Sequence, residues 1–361
     1  MSDYTSNLDL PAAARLLAHP TGPVLVLTHA KPDGDAIGSA MALTLTLRGL
    51  GHTTRCVLVP PVPAALAQLP GADQLDVWDD GFTLAEEPAH VVIVDTGAWT
   101  QVGPMRPVIE PRLDRTLIVD HHLSGNIGAK HRYIDGTAAA CAEIVAELIE
   151  LLIHPAEPAG KRETDTAGYK TLPLEVRDAL FVGIASDTGW FRFSNTRPNT
   201  HELAARLIRM GTDNAGLYQR LEQAERPEKL ALVVRAMSSL QMFPDHHAAV
   251  MVLRAKDFEE TGALPEETER LIDLPQVVSC IEVVALVTEA VIEEDGKSRS
   301  TARISFRSKP QLDEKGEDIA INVAELAGRF GGGGHARAAG AKVDRPVDDV
   351  LADVVSALQT L

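Results

Sequence analysis

The sequence is short of three things that would each have fixed a different reading. Cysteine is scarce: only Cys56, Cys141 and Cys280 occur in 361 residues, far apart and in no CxxC pair. That excludes a disulfide framework and a thiolate zinc site, and it fits a reducing, cytoplasmic setting. Positive charge is also scarce. Lys plus Arg is 34 against 51 Asp plus Glu, a net charge of −17. A protein that coats long duplex DNA or RNA needs many basic phosphate contacts, so this balance argues against one. It leaves room for a local pocket for a short anionic ligand. Finally, no uninterrupted apolar run reaches the roughly 18–20 residues needed to cross a bilayer. The first residues carry Asp3 and Asp9 and no basic start ahead of an apolar stretch, so they do not read as a signal peptide. No internal repeat or low-complexity tract appears beyond four consecutive glycines.

What is present is ample core material, 45% apolar residues, in a chain long enough for two domains at about 150 residues each. Short apolar runs alternate with helical patterns in the first half. Val24 to Thr28, Arg55 to Val59, Val91 to Val94 and Leu117 to Val119 read as strands. Ile37 to Leu50, Ala138 to Ile153 and Leu174 to Ile184 read as helices. Alternation of this kind predicts βαβ units and a parallel sheet. Residues His154 to Thr171 are polar and read as a surface insertion. Arg197 to Arg235 is charged, helical and punctuated by Pro198 and Pro227. Beyond it strands return at Ala249 to Leu253, Ile281 to Thr288 and Ala302 to Phe306, then a helix at Asn322 to Phe330 before the glycines. The expected organisation is an N-terminal domain over 1–212, a helical linker over 213–236 and a second, smaller α/β domain over 237–361.

The placement of Asp and His carries the chemistry. Ligands of open α/β sheets sit at the carboxyl ends of the strands. There the sequence puts His29-Ala-Lys-Pro-Asp33-Gly-Asp35 after the first strand, Asp95 after the third and Asp120-His121-His122 after the fourth. Asp187 ends a helix, where the macrodipole disfavours a carboxylate unless a cation holds it. Taken singly each has a plainer explanation: Asp-Gly-Asp is a common turn, Asp35 can cap the following helix, and a lone Asp95 can close a strand. Together, oxygen and imidazole groups without thiolates suit Mn²⁺, Mg²⁺ or a related divalent ion. So many carboxylates in one place would repel one another unless more than one cation neutralised them.

The order and local context of these elements resemble the signature of the DHH phosphoesterases: Pro32-Asp33-Gly34-Asp35-Ala36-Ile37-Gly38-Ser39, then Asp95, Val119-Asp120-His121-His122, and Ser186-Asp187-Thr188-Gly189 followed by Phe193-Ser194-Asn195-Thr196. The second half resembles the companion DHHA1 domain through Arg303-Ile-Ser-Phe-Arg307-Ser308 and Phe330-Gly-Gly-Gly333-Gly334-His335-Ala-Arg-Ala-Ala-Gly340. Successive glycine N–H groups can cradle an anion, and an arginine can grip a phosphate. The resemblance covers nearly the whole chain. It points to the compact bacterial nano-RNase and 3′-phosphoadenosine-5′-phosphate phosphatase type, since RecJ-type exonucleases carry extra domains and family-two pyrophosphatases lack the Gly-Gly-Gly-His element.

What the resemblance implies is specific. The fold is an N-terminal parallel-sheet DHH domain with helices on both faces plus a smaller α/β DHHA1 domain. Two divalent ions, Mn²⁺ first with Mg²⁺ or Co²⁺ as alternatives, are held by His29 and Asp33 on one side and by Asp35 and His121 on the other. Asp95 bridges them and Asp187 completes the cluster. The ions activate a water for in-line attack on phosphorus. His122 contacts the phosphate and Asp120 orients a histidine. Arg307, Ser308, Gly333, Gly334 and His335 hold the far end of a short RNA or small nucleotide. Family members often form homodimers. Cyclic dinucleotides such as cyclic di-AMP are alternative substrates for the same groups. The competing class is a nucleotide sensor without turnover, which would have no need of eight Asp and His residues at strand and helix ends.

Overall fold

A computed structural model describes residues 4–154, 172–294, 297–311 and 319–361. The insertion expected at His154 to Thr171 lies, from 155 onward, outside the described residues. The chain divides into two compact units, Met1–Ala224 and Glu225–Leu361.

Among its described residues the first unit is built on six strands: β1 (Val24–Leu27), β2 (Thr54–Leu58), β3 (Asp76–Val77), β4 (His90–Val94), β5 (Thr116–Asp120) and β6 (His131–Ile134). All pair in parallel, in the order β3-β2-β1-β4-β5-β6. The order reverses between β1 and β4, which opens a crevice beyond their carboxyl ends. The expected strands appear within a residue or two of where their apolar runs placed them. β3 and β6 do not show in the sequence, because one is two residues long and the other, His-Arg-Tyr-Ile, is a half-buried edge without an apolar run.

Among the described residues eight α-helices belong to this unit: α1 (Leu10–Ala18), α2 (Gly34–Gly49), α3 (Ala64–Ala67), α4 (Arg106–Ile109), α5 (Cys141–Ile153), α6 (Leu174–Asp187), α7 (Pro198–Arg209) and α8 (Asn214–Glu222). They cover the sheet unequally. Val24, Val26, Val92, Val94, Leu117 and Val119 face a large core shared with α1, α2, α5 and α6. The alternate residues Leu25, Leu27, Val91, Ile93 and Ile118 meet a thinner cover that includes Val102, Met105 and Ile109. Strands buried on both faces read as continuous apolar runs, which is why they were visible in sequence.

α2 starts at Gly34, three residues before its first large apolar side chain. Its cap is Asp33, whose Oδ1 accepts from the N–H groups of Asp35 and Ala36, each at 3.0 Å. The plainer explanation of Asp35 as the cap of this helix does not hold: Asp35 lies inside the first turn. The helix is buried on every side from Gly34 to Leu47, so it shows no amphipathic stripe. It can be buried so completely because α6 approaches it through glycine. A Cβ on Gly38 would collide with the Ala179 carbonyl, and one on Gly183 would collide with Ala142 and come within 2.9 Å of Asp35 Oδ1.

The second unit carries β7 (Gln241–Phe243), β8 (Ala248–Leu253), β9 (Val283–Glu294), β10 (Lys297–Ser308), β11 (Gly333–His335) and β12 (Ala338–Val343), in the order β11-β12-β10-β9-β8-β7. Only β8 and β9 run parallel; the other pairs are antiparallel. Period-two burial splits the strands between two cores. Val250, Ala285 and Phe306 pack with α11 (Val323–Gly328) and α12 (Val347–Leu358). Met251, Val284 and Leu286 face α9 (Pro227–Ser238) and the stretch that contains α10 (Ala255–Thr261). Half of the glycine run is thus a strand, β11, and the segment read as a helical linker is split, α8 in the first unit and α9 in the second. Among the described residues no helix is long and apolar enough to cross a membrane.

Candidate metal centre

The crevice at the β1/β4 reversal gathers the Asp and His residues named from sequence. Two groups form there, each with its ligand atoms within 4.8 Å of one another: His29, Asp33 and Asp95, and Asp35, His121 and Asp187. A third combination, Asp95, His121 and His122, overlaps them. Asp95 stands between the two groups. Its Oδ2 is 3.6 Å from His29 Nε2, and its Oδ1 is 3.4 Å from His121 Nε2. The rest close around these contacts: His29 Nε2 is 3.8 Å from Asp33, and His121 Nε2 is 3.9 Å from Asp35 and 3.7 Å from Asp187.

The backbone aims these side chains. Asp95 leaves β4 with φ +61°, a left-handed conformation that costs energy outside glycine, though least for Asp and Asn. Its own N–H still bonds the Val119 carbonyl of β5 at 3.0 Å, so the turn is held. His29 and His121 each point Nδ1 at a backbone carbonyl, Ala30 at 3.0 Å and Ala138 at 3.3 Å. A carbonyl only accepts, so Nδ1 carries a proton, and Nε2 faces the crevice, where it can bind a cation or, without one, a second proton. Asp35 is fully buried, and its carboxylate receives the first N–H groups of α5: Cys141 at 2.6 Å and Ala142 at 2.9 Å. It thereby caps α5, a helix 106 residues further along the chain.

Asp187 is the last residue of α6. Directly after it Gly189, Trp190 and Phe191 all take positive φ, +54°, +58° and +65°. Two bulky aromatics in that region are a strained turn. Packing holds it: Phe181 meets Trp190 at 6.2 Å and Phe191 at 5.9 Å, and Trp190 Nε1 donates to Glu222 at 3.0 Å. Asn195 then spans the gap, its Nδ2 donating to the Asp187 carbonyl at 3.1 Å and to the Ala139 carbonyl at 2.9 Å.

The electrostatics of the crevice are dominated by crowded carboxylates and histidines. Burial, then the neighbouring Asp95 and Asp187, pushes the Asp35 carboxyl well above the ordinary carboxylate range, against the pull of His121. Burial likewise raises Asp187 to about 6, with His121 opposing and Asp95 and Asp33 adding. Burial pulls both histidines down, but the carboxylates outweigh it: Asp33 and Asp95 lift His29 to about 10, and Asp95, Asp35 and Asp187 lift His121 to about 10. Without metal, protons supply the counter-charge. Asp95 Oδ1 is buried with no hydrogen-bond partner, and an unsatisfied buried carboxylate oxygen is costly. A cation on that oxygen removes the cost, so the donor set fits divalent metal.

Asp120 and His122 sit beside the two groups. Asp120 is completely buried, and its Oδ1 receives His122 Nδ1 at 2.7 Å and the N–H of His121 at 2.8 Å. Burial raises its carboxyl, and hydrogen bonds from His122 and Tyr4 more than reverse this, leaving it below the usual range. The histidine that Asp120 orients is thus His122, whose Nδ1 is also 3.8 Å from Asp95 Oδ1.

In the second unit, Arg307 of β10, Ala338 of β12 and His335 of β11 lie opposite one another in one row, and Phe306, Ala339 and Gly334 form the next. Arg307 is half exposed and 3.5 Å from Asp273, whereas Ser308 is buried with its hydroxyl unpaired. Gly333, Gly334 and His335 are exposed. Arg307 and His335 therefore share one row of the sheet, on strands separated by β12, and Gly333 and Gly334 lie on the same strand as His335.

A doubly wound α/β domain with a His/Asp centre at its topological switch point, followed by a mixed-sheet domain, is the class that fold and site define. Residues 23–184 match the family model described as DHH family, N-terminal domain, and residues 250–361 match the DHHA1 domain; the chain belongs to the DHH/DHHA1 family. It is 29% identical over 328 residues to the bifunctional oligoribonuclease and PAP phosphatase NrnA of Thermus thermophilus, covering 91% of this chain and 86% of the relative. It is 25% identical to the Bacillus subtilis protein of the same name, over 92% of this chain and 93% of the relative. The crystal structure of an exopolyphosphatase-related protein from Bacteroides fragilis superposes with a TM-score of 0.79 at 18% identity, covering 97% of this chain and 96% of that one. That last likeness concerns the fold.

Proposed function

We propose that the protein is a metal-dependent phosphoesterase that hydrolyses short oligoribonucleotides to 5′-mononucleotides and 3′-phosphoadenosine 5′-phosphate to AMP. One observation carries the metal part of this reading: the two oxygens of Asp95 face two separate His/Asp groups, and one of them is buried without a partner. His29, Asp33 and Asp95 would hold one ion, and Asp35, His121, Asp187 and Asp95 the other. When bound, the ions supply Lewis-acid polarisation of the phosphate and acidify a water.

The remaining work falls to the chain itself. His122 has Nδ1 committed to Asp120, which leaves Nε2 for a phosphate oxygen, and its side chain is 45% exposed where His29 and His121 are 16% and 12%. It is the histidine a substrate can reach, and it stabilises the charge that develops on phosphorus oxygens. The Nδ1–carbonyl bonds of His29 and His121 keep both rings turned toward the crevice. In the second unit Arg307 offers a forked donor for a phosphate or base, and the exposed Gly333, Gly334 and His335 let a ligand approach the strand closely. An acidic chain that grips phosphate at these few places favours short substrates over long ones.

The test is release of mononucleotide and phosphate with Mn²⁺ from a dinucleotide, a five-residue RNA, cyclic di-AMP and 3′-phosphoadenosine 5′-phosphate, each with a chelator control. Chelator-sensitive turnover of the short RNAs and the bisphosphate is the expected result. Preference for cyclic di-AMP would move the substrate class. Tight binding with no turnover under several divalent ions would make the protein a sensor.

A further inference from the structure

The reactive face of the centre depends on a residue far from the motifs. Tyr4 donates its hydroxyl to Asp120 Oδ2 at 2.6 Å, across 116 residues of sequence. Asp120 is fully buried, and its other oxygen is taken by His122 Nδ1 and the N–H groups of His121 and His122. Tyr4 is therefore the partner that satisfies the second oxygen, and a carboxylate oxygen left unpaired at such depth is expensive.

The ring is as closely fitted as the hydroxyl. It lies against Gly97, two residues after Asp95, and Gly125, three residues after His122. A Cβ on Gly97 would overlap the Tyr4 hydroxyl, and one on Gly125 would come within 2.6 Å of the ring carbon that bears it. Asn126 and Ile127 donate to the Gly97 carbonyl at 2.8 and 2.9 Å, so the two loops are tied together around the ring. The segment that delivers Tyr4 is itself laced to the edge strand β6. Asn7 N–H donates to Arg132 O at 2.9 Å, Ser6 Oγ donates to Ile134 O at 2.9 Å, and Arg132 N–H donates to Asn7 Oδ1 at 2.8 Å. A loose tail would show neither the lacing nor two glycine-sized gaps that match one ring.

We infer that Tyr4 is a positioning residue for catalysis: through Asp120 it fixes the ring orientation and tautomer of His122, and Gly97 and Gly125 are glycines because the Tyr4 ring occupies the space a side chain would need. The inference rests on the reading of His122 as the phosphate-contacting group. Its structural half, the coupling of Tyr4 to His122, is observable without turnover.

Tyr4→Phe keeps the ring and removes only the hydroxyl. Two measurements decide. In metal-free protein with ¹⁵N-labelled histidine, the His122 signals, assigned against His122→Ala, report its protonation and its hydrogen bond to Asp120; Tyr4→Phe is expected to shift them. In Mn²⁺-loaded protein hydrolysing a dinucleotide, Tyr4→Phe is expected to lower kcat about 10- to 100-fold with KM within about twofold, the range for removing a residue that orients a reacting one. In a His122→Ala background it should cost nothing further. Gly125→Ala, which displaces the ring by another route, should reproduce the spectral change. Unchanged His122 signals in Tyr4→Phe would overturn the inference, as would the same loss of kcat with and without His122. Absence of turnover in the wild type would remove the reading of His122 while the spectra still decide the coupling.

Discussion

The two halves of the candidate metal centre are assembled in different ways. His29 and Asp33 come from one five-residue stretch after β1, and Asp33 is exposed and doubles as the cap of α2. Asp35, His121 and Asp187 come from α2, from the loop after β5 and from the last residue of α6, and Asp35 is fully buried. The first half is local and needs only a strand end and a turn. The second exists only because α2, α5 and α6 pack close enough for one carboxylate to cap α5 and face His121 together. Asp95 belongs to both. A local half should tolerate damage to the helix packing, and a global half should not.

The largest expected effect comes from removing what the halves share. Asp95→Asn should lower turnover by at least about 1000-fold, since Lewis-acid stabilisation is worth several kcal/mol and each 1.36 kcal/mol is tenfold. Steady-state hydrolysis of a dinucleotide measures it. Gly38→Ala tests the second half alone. Its Cβ would meet the Ala179 carbonyl, and overpacking of this kind costs about 1–3 kcal/mol of stability. Metal titration of this variant should show the second ion weakened far more than the first; equal weakening would end the local/global distinction. Asp33→Ala is the converse. Losing a helix cap costs about 1 kcal/mol, read by chemical denaturation, and only the first ion should be affected.

The smallest expected effect is a pH dependence of the metal-free protein. Asp187 has a folded pKa raised to about 6 from 3.8. The folded state then holds that proton more tightly than the unfolded one, so its contribution is present below about pH 4 and lost as pH rises through about 6. His29 and His121 are raised to about 10 from 6.5, so their contribution is full below about pH 6.5 and lost as pH climbs toward 10. Both signs agree: without metal the melting temperature should fall as pH rises from 4 to 9. Metal replaces those protons, so the upward shift caused by Mn²⁺ should be larger at pH 8 than at pH 6. A metal-free melting temperature that rises over this range would contradict the arrangement.

The two halves also differ in what the sequence discloses. Val24 to Thr28 and Val91 to Val94 are buried on both faces, so they read as unbroken apolar runs whose polar successors, His29 and Asp95, stood out at once. Asp35 is not the cap of α2 that its place beside the helix start allows. Its true partners, the N–H groups of Cys141 and Ala142, are fixed by tertiary packing that no local pattern encodes. α2 hid its start for a related reason: a helix buried all round has no stripe, and its cap precedes its first large apolar residue. Tyr4 and Asn195 were missed because each acts through hydrogen bonds to distant or backbone partners. A signal was nonetheless present for both, an isolated aromatic ahead of a polar segment and an asparagine in the Phe-Ser-Asn-Thr stretch after Asp187. The glycine run gave no sign of a strand, yet Gly333 to His335 pair with β12, since glycine's lack of a side chain says nothing of register.

The most direct test of the central claim is the number of Mn²⁺ ions bound per chain, measured by equilibrium dialysis with elemental analysis for the wild type and for Asp95→Asn. The account predicts two per chain in the wild type and loss of at least one, with the other weakened, when Asp95 loses its charge. One ion per chain in the wild type, or two of unchanged affinity in Asp95→Asn, would contradict it.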